Sequence, residues 1–421
     1  MTANQSSSPP TRSATPPARK LLWLAVAASL AVLLAWLLTS DTVQRQWWEH
    51  RNTLDLEKTV GTNPDSPWPY YTLGVRYARA NRLAESIHLF ETARQKFPDS
   101  FDIRYALGKA YIFNNDPGDA LSELEKAVTM RTNDAGVYTY LAMARRLTNN
   151  RDSAREAAKK ATELDPKKAE AWYQYGILYT AQENNEGDGR PYLKKAVELD
   201  PASGTYNFAY GSSLTDGTQF VEAIPYLRRA TQALPDNSYA HFLLAVALHR
   251  GGKGGSDLDE AVTELKRSLE LTPNDYRGHF ELGNILEEQS QFAAALPEFE
   301  IASRLNPRLG EIWFHLSRMA DRAGRTAEAE QARAKFKVIR QLHVEFQTLV
   351  RRIPEHPEDS VAQLKVGQVM EKQGNVRGAA IQYADVLSRE PQNAQAQKLL
   401  DNARRQMAAQ TGPFAPGSPK P

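Results

Sequence analysis

Apolar and small residues recur along most of the chain at the three- and four-residue spacing of amphipathic helices. The pattern repeats about every 34 residues: an apolar–small pair is followed about twelve residues later by another small residue, and a proline closes most units. Because proline cannot continue a helix, each unit is predicted to be two antiparallel helices that end before it. The pairs are Leu73-Gly74, Leu107-Gly108, Leu141-Ala142, Tyr175-Gly176, Tyr210-Gly211, Leu244-Ala245 and Leu282-Gly283, and the closing prolines are Pro98, Pro166, Pro201, Pro235, Pro273 and Pro307.

This arrangement resembles the tetratricopeptide repeat, in which an aromatic residue, a Leu-Gly pair, spaced alanines and a closing proline recur about every 34 residues. The clearest copy runs from Ala169 through Trp172 and Gly176 to Pro201. The resemblance implies an all-α fold: a right-handed α-solenoid of about nine helix pairs, each burying its apolar face against the next. Repeats are predicted to begin near Pro67, Phe101, Ala135, Ala169, Gly204, Ser238, Tyr276, Gly310 and Ser360.

The eighteen uncharged and mostly apolar residues from Leu21 to Leu38 predict one transmembrane helix in front of the array. At about 1.5 Å per residue they span about 27 Å, close to the thickness of a hydrocarbon core. Basic residues precede the run and no acid does, so the positive-inside rule predicts a single pass through the plasma (inner) membrane. The N terminus would be cytoplasmic and the array extracytoplasmic, in a periplasm. A cleaved signal peptide is the alternative, although Thr39-Ser40 makes a poor cleavage site.

Composition sets the remaining domain boundaries. Tails rich in Ser, Pro and Thr or in Gly and Pro are predicted to be disordered, and single helices are predicted to cap the array. The predicted order is a disordered cytoplasmic tail (1–18), the anchor (19–40), a linker and capping helix (41–66, helical over 43–60), repeats one to eight with the last incomplete (67–325), a long extended helix (326–353), a C-terminal repeat and capping helix (354–410, the cap over 394–408), and a second disordered tail (411–421).

The long helix carries an apolar seam, Ile339, Leu342, Phe346, Leu349 and Ile353, at the three-four spacing of a short coiled coil. The seam has two interpretations: it makes a homo-oligomer through residues 326–353, or it packs against the last repeat of the same chain.

The charge balance and the absence of known motifs argue against catalysis and against metal or cofactor binding. The formal charge is +2 and cysteine is absent, so no basic field attracts nucleic acid, and disulfides and thiol catalysis are excluded. The eight histidines have no metal-ligand spacing, and the Gly251–Ser256 run lacks the spacing of a phosphate loop. We therefore expect no catalytic residues, no metal and no cofactor.

The resemblance also implies a binding surface, because in this family the residue after the signature aromatic faces a concave groove. Aromatic rings there would suit a protein or peptide partner, although rings at this position also pack between neighbouring helices. A lysine–asparagine–arginine clamp for carboxylates is missing, since Tyr71, Val75, Ala106, Gly136 and Tyr140 occupy its positions. The predicted groove residues are Tyr71, Tyr105, Tyr173, Phe208, Phe242, Phe280 and Phe314, with Thr139 as the non-aromatic exception and Asn284 and Arg318 among the polar residues at the far end.

The sequence therefore predicts a non-catalytic, membrane-tethered scaffold that binds protein partners through its groove, in envelope protein assembly or secretion. One alternative is a self-assembling structural protein. Another is a glycan-related envelope factor, because aromatic rows also stack on sugars.

Overall fold

The computed structural model describes residues 40–180, 188–354 and 358–410, which form 21 helices. The predicted transmembrane segment and the two predicted disordered tails lie outside these ranges. Within them, every helix is too short or too polar to cross a membrane. The described chain is an all-α array of helix pairs, as the repeat pattern predicts.

The helices fall into two compact units, residues 1–200 and 201–421. In the first unit they are α1 (Asp41–Glu49), α2 (Thr53–Gly61), α3 (Trp68–Arg79), α4 (Leu83–Lys96), α5 (Phe101–Phe113), α6 (Pro117–Met130), α7 (Ala135–Leu147), α8 (Arg151–Leu164), α9 (Ala169–Thr180) and α10 (Arg190–Leu199). In the second unit they are α11 (Gly204–Asp216), α12 (Phe220–Ala233), α13 (Ser238–Gly251), α14 (Ser256–Leu271), α15 (Tyr276–Glu288), α16 (Phe292–Leu305), α17 (Gly310–Arg322), α18 (Thr326–Arg352), α19 (Ser360–Lys372), α20 (Val376–Arg389) and α21 (Ala394–Gln410).

Short polar residues start and turn the helices. The first helix of most pairs begins after a Ser, Asn or Asp whose side chain accepts a backbone N–H of the first turn, as Ser100 does from Ile103. The turn within a pair passes through one residue with positive φ, a conformation that Asn and Gly adopt at low cost. Those residues include Asn81, Asn115, Asn149, Thr218, Ser290, Gly324 and Gly374.

Within each pair, the small residue of the repeat signature makes room for a large side chain on the second helix. A Cβ at Gly108 would lie 2.6 Å from Cγ of Leu124, and one at Gly74 would lie 2.4 Å from the Phe90 ring. The same complementarity joins Gly211 to Leu227 and Gly283 to Phe299. Where the first helix has Ala142 instead, the position sixteen residues later is Ala158, and both are buried. The small residues therefore set the spacing between paired helices.

Successive repeats are joined by a recurring hydrogen bond. A side chain in the first turn of a first helix donates to a backbone carbonyl six residues earlier, which belongs to the proline that closes the preceding repeat. Donor and acceptor pairs are Arg104 and Pro98, Trp172 and Pro166, Asn207 and Pro201, His241 and Pro235, His279 and Pro273, and Trp313 and Pro307. The proline thus ends one helix and also fixes the next repeat against it.

The N-terminal cap is two helices, where the sequence predicts a single helix over 43–60. The chain breaks at Asn52, whose side chain accepts from the backbone N–H of Asp55 and starts α2. Arg76 of α3 then ties the two together by donating to the Glu49 carbonyl and to Thr53. Leu56 of α2 is fully buried against the first repeat, so α2 is the helix that covers the apolar face of that repeat.

The long helix α18 packs against its own chain along part of the predicted seam. Phe336 lies against Phe314 of α17, with ring centroids 5.6 Å apart. Ile339 lies beside Gly310 at the start of α17, and the carbonyl of Leu342 accepts from Gln373 after α19. Phe346, Leu349 and Ile353 are half-buried in the same row. These contacts favour the interpretation that the seam packs within the chain.

Candidate binding surfaces

The first helices of neighbouring repeats contact one another, and this creates a continuous face in each unit. In the first unit the row is α3, α5, α7 and α9; in the second it begins with α11, α13 and α15. Side chains on the exposed side of these helices are the candidate binding residues.

In the first unit, aromatic rings contact each other from one first helix to the next. The ring of Tyr105 stacks on Phe101 and meets Tyr140 of α7 edge-on, with centroids 5.7 and 5.8 Å apart. The ammonium of Lys109 lies over both tyrosines, 4.6 Å from the Tyr140 centroid and 5.4 Å from that of Tyr105. A Cβ at Gly136 would be 2.7 Å from the Tyr105 hydroxyl, so this glycine lets the ring lie flat on α7.

A pocket of about 550 Å³ is lined by α1, α3, α4 and α5; we call it the basic pocket. Its polar lining is Arg45, Arg79 and Lys109 with the hydroxyls of Tyr71 and Tyr105. Apolar side chains complete the lining: Val75, Ala78, Leu83, Phe90, Ala106, Ala110 and Phe113.

Burial governs the ionisation of the groups in the basic pocket. It raises the pKa of Tyr71, although the nearby Arg45 opposes the shift. It also raises the pKa of Tyr105, so both hydroxyls stay protonated. For Lys109 burial lowers the pKa, and Glu170 only partly offsets this. Arg45 is held in place because it donates to the Tyr71 hydroxyl at 3.1 Å and pairs with Glu49.

In the second unit, rings of α11 and α13 form a chain, and a cation of α15 lies over it. Phe208 meets Tyr239 edge-on, and Tyr239 stacks on Phe242 with centroids 5.9 Å apart. The guanidinium of Arg277 covers both Tyr239 and Phe242 at 5.3 and 5.4 Å. Phe208 and Phe242 are each half-buried, so part of each ring remains on the surface.

A second pocket, of about 560 Å³, lies along α13, α15 and α17; we call it the mixed pocket. Here most cations are paired with carboxylates. The two nitrogens of His249 lie 2.9 Å from Glu281 and from Glu288, and Glu287 contacts both His315 and Arg318, at 2.7 and 3.0 Å. The other lining residues are Arg250, Phe280, Asn284, Ser290, Phe292, Glu311 and Arg322.

The mixed pocket is internally neutralised. Burial alone would raise the pKa of Glu281, but its hydrogen bond with His249 keeps that pKa below the ordinary value. The hydrogen bond that His249 donates to Glu281 raises the pKa of His249 in turn, against the effect of burial. A charged ligand would have to compete with these internal pairs, and this favours ligands that bind through apolar and neutral polar groups.

The structure brings the predicted groove residues into these surfaces unevenly. Tyr71 and Tyr105 line the basic pocket, and Phe280, Asn284 and Arg318 line the mixed pocket. Phe208 and Phe242 belong to the ring chain. Phe314 is 41 % exposed but packs on Phe336, and Tyr173 is half-buried, lines neither pocket and has its pKa raised by burial. The rings therefore pack between helices and also reach the surface.

Sequence reasoning missed the cations of the basic pocket and the histidines of the mixed pocket. Lys109 had a usable signal, because it lies four residues after Tyr105 and so on the same helical face. Arg45 had none, since it comes from a capping helix outside the repeats. In the described part of the chain, no three His, Asp or Glu side chains converge as metal ligands.

Comparison with known proteins identifies the family. One sequence model of the tetratricopeptide repeat matches residues 77–145, and another matches residues 141–204, 209–276 and 280–335. These matches cover more than half of the chain, which therefore belongs to the tetratricopeptide repeat family, as the resemblance predicts. No curated protein matches the chain.

Solved structures of proteins with similar repeats each match part of this chain. YrrB, described as a TPR protein with an unusual peptide-binding site, is 25 % identical with a TM-score of 0.40; the match covers 44 % of this chain and 92 % of YrrB. The pilF protein of Pseudomonas aeruginosa is 18 % identical with a TM-score of 0.44, over 52 % of this chain and 96 % of its own. A TPR protein of Thermus thermophilus is 20 % identical with a TM-score of 0.38, over 44 % of this chain and 100 % of its own.

Proposed function

We propose that this chain is a non-catalytic scaffold that binds protein or peptide partners on the faces formed by its first helices. The observation that carries the proposal is that, in each unit, contacting aromatic rings and a pocket lie along the same row of first helices. Rings provide large contact area at low entropic cost, and a row of them suits an extended segment or a helix of a partner.

The setting of this scaffold is a further part of the proposal. The apolar run from Leu21 to Leu38 would tether the chain to the plasma membrane, with the array on the extracytoplasmic side. Tethering would raise the effective concentration of the binding faces for partners at that membrane. We place the protein in envelope protein assembly or secretion on this basis.

The test is capture of partners by the full-length chain from its own cells, with and without two ring truncations. Tyr173→Ala and Phe208→Ala together should lower the yield of specific partners several-fold and leave far-UV helicity unchanged, because both rings are half-buried surface residues. Val221→Ala on the second helix α12 is the matched control, since Val221 is 69 % exposed and outside both faces. Equal capture by the double variant and the control would contradict the proposal.

A further inference from the structure

The basic pocket holds positive charge that carboxylates of the chain offset only in part. Arg45 pairs with Glu49 and Asp102, but neither Arg79 nor Lys109 has an ion pair anywhere in the described part of the chain. The ammonium of Lys109 lies over two aromatic rings, Glu170 acts on it without forming an ion pair, and Arg79 is exposed at the end of α3. This differs from the mixed pocket, where Glu281 and Glu287 each contact two basic side chains.

The setting of Lys109 makes it responsive to an anion. Lys109 is half-buried and burial disfavours its charge. Glu170 opposes this effect, and the positive charges of Lys168 and Arg79 add to it. An anionic group placed between Lys109 and Arg79 would offset both the cost of burying the Lys109 charge and the repulsion between the two cations. Because the site is partly desolvated, such a contact is stronger than one at an exposed lysine.

The rest of the pocket is apolar, so a free inorganic anion would leave most of it empty. Phe113 is 57 % exposed, and Val75 and Leu83 line the pocket with it. A volume of about 550 Å³ accommodates a large apolar side chain together with an acidic one.

We propose that the basic pocket binds a segment of a partner protein in which an acidic side chain is adjacent to a large apolar one. The carboxylate lies between Lys109 and Arg79, and the apolar side chain lies against Val75, Leu83 and Phe113. This inference rests on the proposed function and names the chemistry of the partner at one of its two pockets. The carboxylate is held by residues other than those at the family's clamp positions, because Tyr71, Val75 and Ala106 occupy three of those positions in this pocket.

The test uses the full-length chain in mild detergent and a pool of fluorescent, amidated peptides that carry two glutamates beside one phenylalanine, with randomised flanks. Matched pools have glutamine or lysine in place of both glutamates. By fluorescence anisotropy at low salt, the glutamate pool should bind about tenfold more tightly than the glutamine pool, as expected for a hydrogen bond to a charged group. Added salt should reduce this difference.

Variants then assign the effect to the pocket. Lys109→Gln should weaken binding of the glutamate pool about tenfold and leave the glutamine pool unchanged. Arg79→Gln, at an exposed position, should do the same to a smaller extent, and it provides the test if Lys109→Gln perturbs folding. Lys126→Gln is the matched control, since Lys126 is an exposed residue of the second helix α6 and has no ion pair among the described residues. It should bind both pools as the wild type does.

Several results would overturn the inference. These are equal affinity for the glutamate and glutamine pools, tighter binding of the lysine pool, no binding of any pool, or full affinity in both the Lys109 and Arg79 variants. Displacement of the glutamate pool by phosphatidylglycerol vesicles would also overturn it, because it would assign the pocket to an anionic membrane surface. In each case the proposed function is judged separately, by whether Tyr173→Ala and Phe208→Ala still reduce partner capture.

Discussion

At the scale of single residues, the repeat depends on glycines that face large side chains. Gly108→Val should destabilise the first unit by about 1–3 kcal/mol, because even a Cβ would lie 2.6 Å from Leu124 and the pair is buried. The measurement is the thermal unfolding midpoint followed by far-UV circular dichroism.

Gly118→Ala is the control for that substitution. Gly118 is also a helical glycine of the same repeat, but nothing lies within 4 Å of a Cβ placed there. The alanine should leave the midpoint unchanged or raise it slightly, since alanine favours a helix. Equal destabilisation by Gly108→Val and Gly118→Ala would show that the helix spacing does not depend on the small residue.

His279 should make the second unit less stable as the pH rises. Its two nitrogens face two acceptors, Glu298 at 2.6 Å and the Pro273 carbonyl at 3.0 Å, an arrangement satisfied fully only by the imidazolium. The hydrogen bond to Glu298 raises the pKa of His279, burial opposes this, and Asp275 adds to the rise. The stabilisation is therefore complete below the ordinary histidine pKa of about 6.5 and is lost as the pH passes the raised value.

The prediction is tested by comparing the wild type with His279→Gln between about pH 6 and pH 9. The variant should be less stable by about 1.5–3 kcal/mol at the acidic end, and the difference should shrink as the pH rises. His88→Gln, at an exposed position, is the control and should lower the stability less than His279→Gln does at the acidic end. A difference that grows with pH would contradict the assignment of an imidazolium.

At the scale of elements, α18 decides between a scaffold and a self-assembling protein. Its half-buried seam contacts α17 within the same chain, and Val344 is 57 % exposed on the helix. The chain contains no cysteine, so a single Val344→Cys reports on contacts between copies. Under mild oxidation it should form disulfide dimers no faster than Val221→Cys on α12. Much faster dimerisation through Val344→Cys would favour self-association through α18.

Much of the helical organisation could be predicted from sequence because the signal is repeated. A proline, a small residue and an apolar stripe recur in step, so an ambiguity in one repeat is settled by its neighbours. The cap at Val43–Val60 occurs only once, and there the prediction of a single helix was wrong. Asn52 starts a second helix inside a segment whose pattern indicates one continuous helix. Asn81, Asn115 and Asn149 recur at 34-residue spacing and could have located the turns.

At the scale of the whole molecule, the sequence predicted which aromatic residues lie at the candidate surfaces, but it did not predict the charges of the two pockets. The family position located Tyr71 and Tyr105 in the basic pocket, and Phe280 with Asn284 and Arg318 in the mixed pocket. The charges that distinguish the two pockets depend on residues far apart in sequence, such as Arg45 and Lys109. Which cation lacks a carboxylate follows from packing, and spacing along one helix does not contain that information.

The central claim is that partners bind on the faces of the first helices. A photoactivatable residue at Tyr173, on first helix α9, should crosslink a discrete partner in cells, whereas the same probe at Lys194, exposed on second helix α10, should not. The compartment of the captured partner would also test the proposed location of the array. Equal background from both positions, or crosslinks only between copies of this chain, would contradict the account.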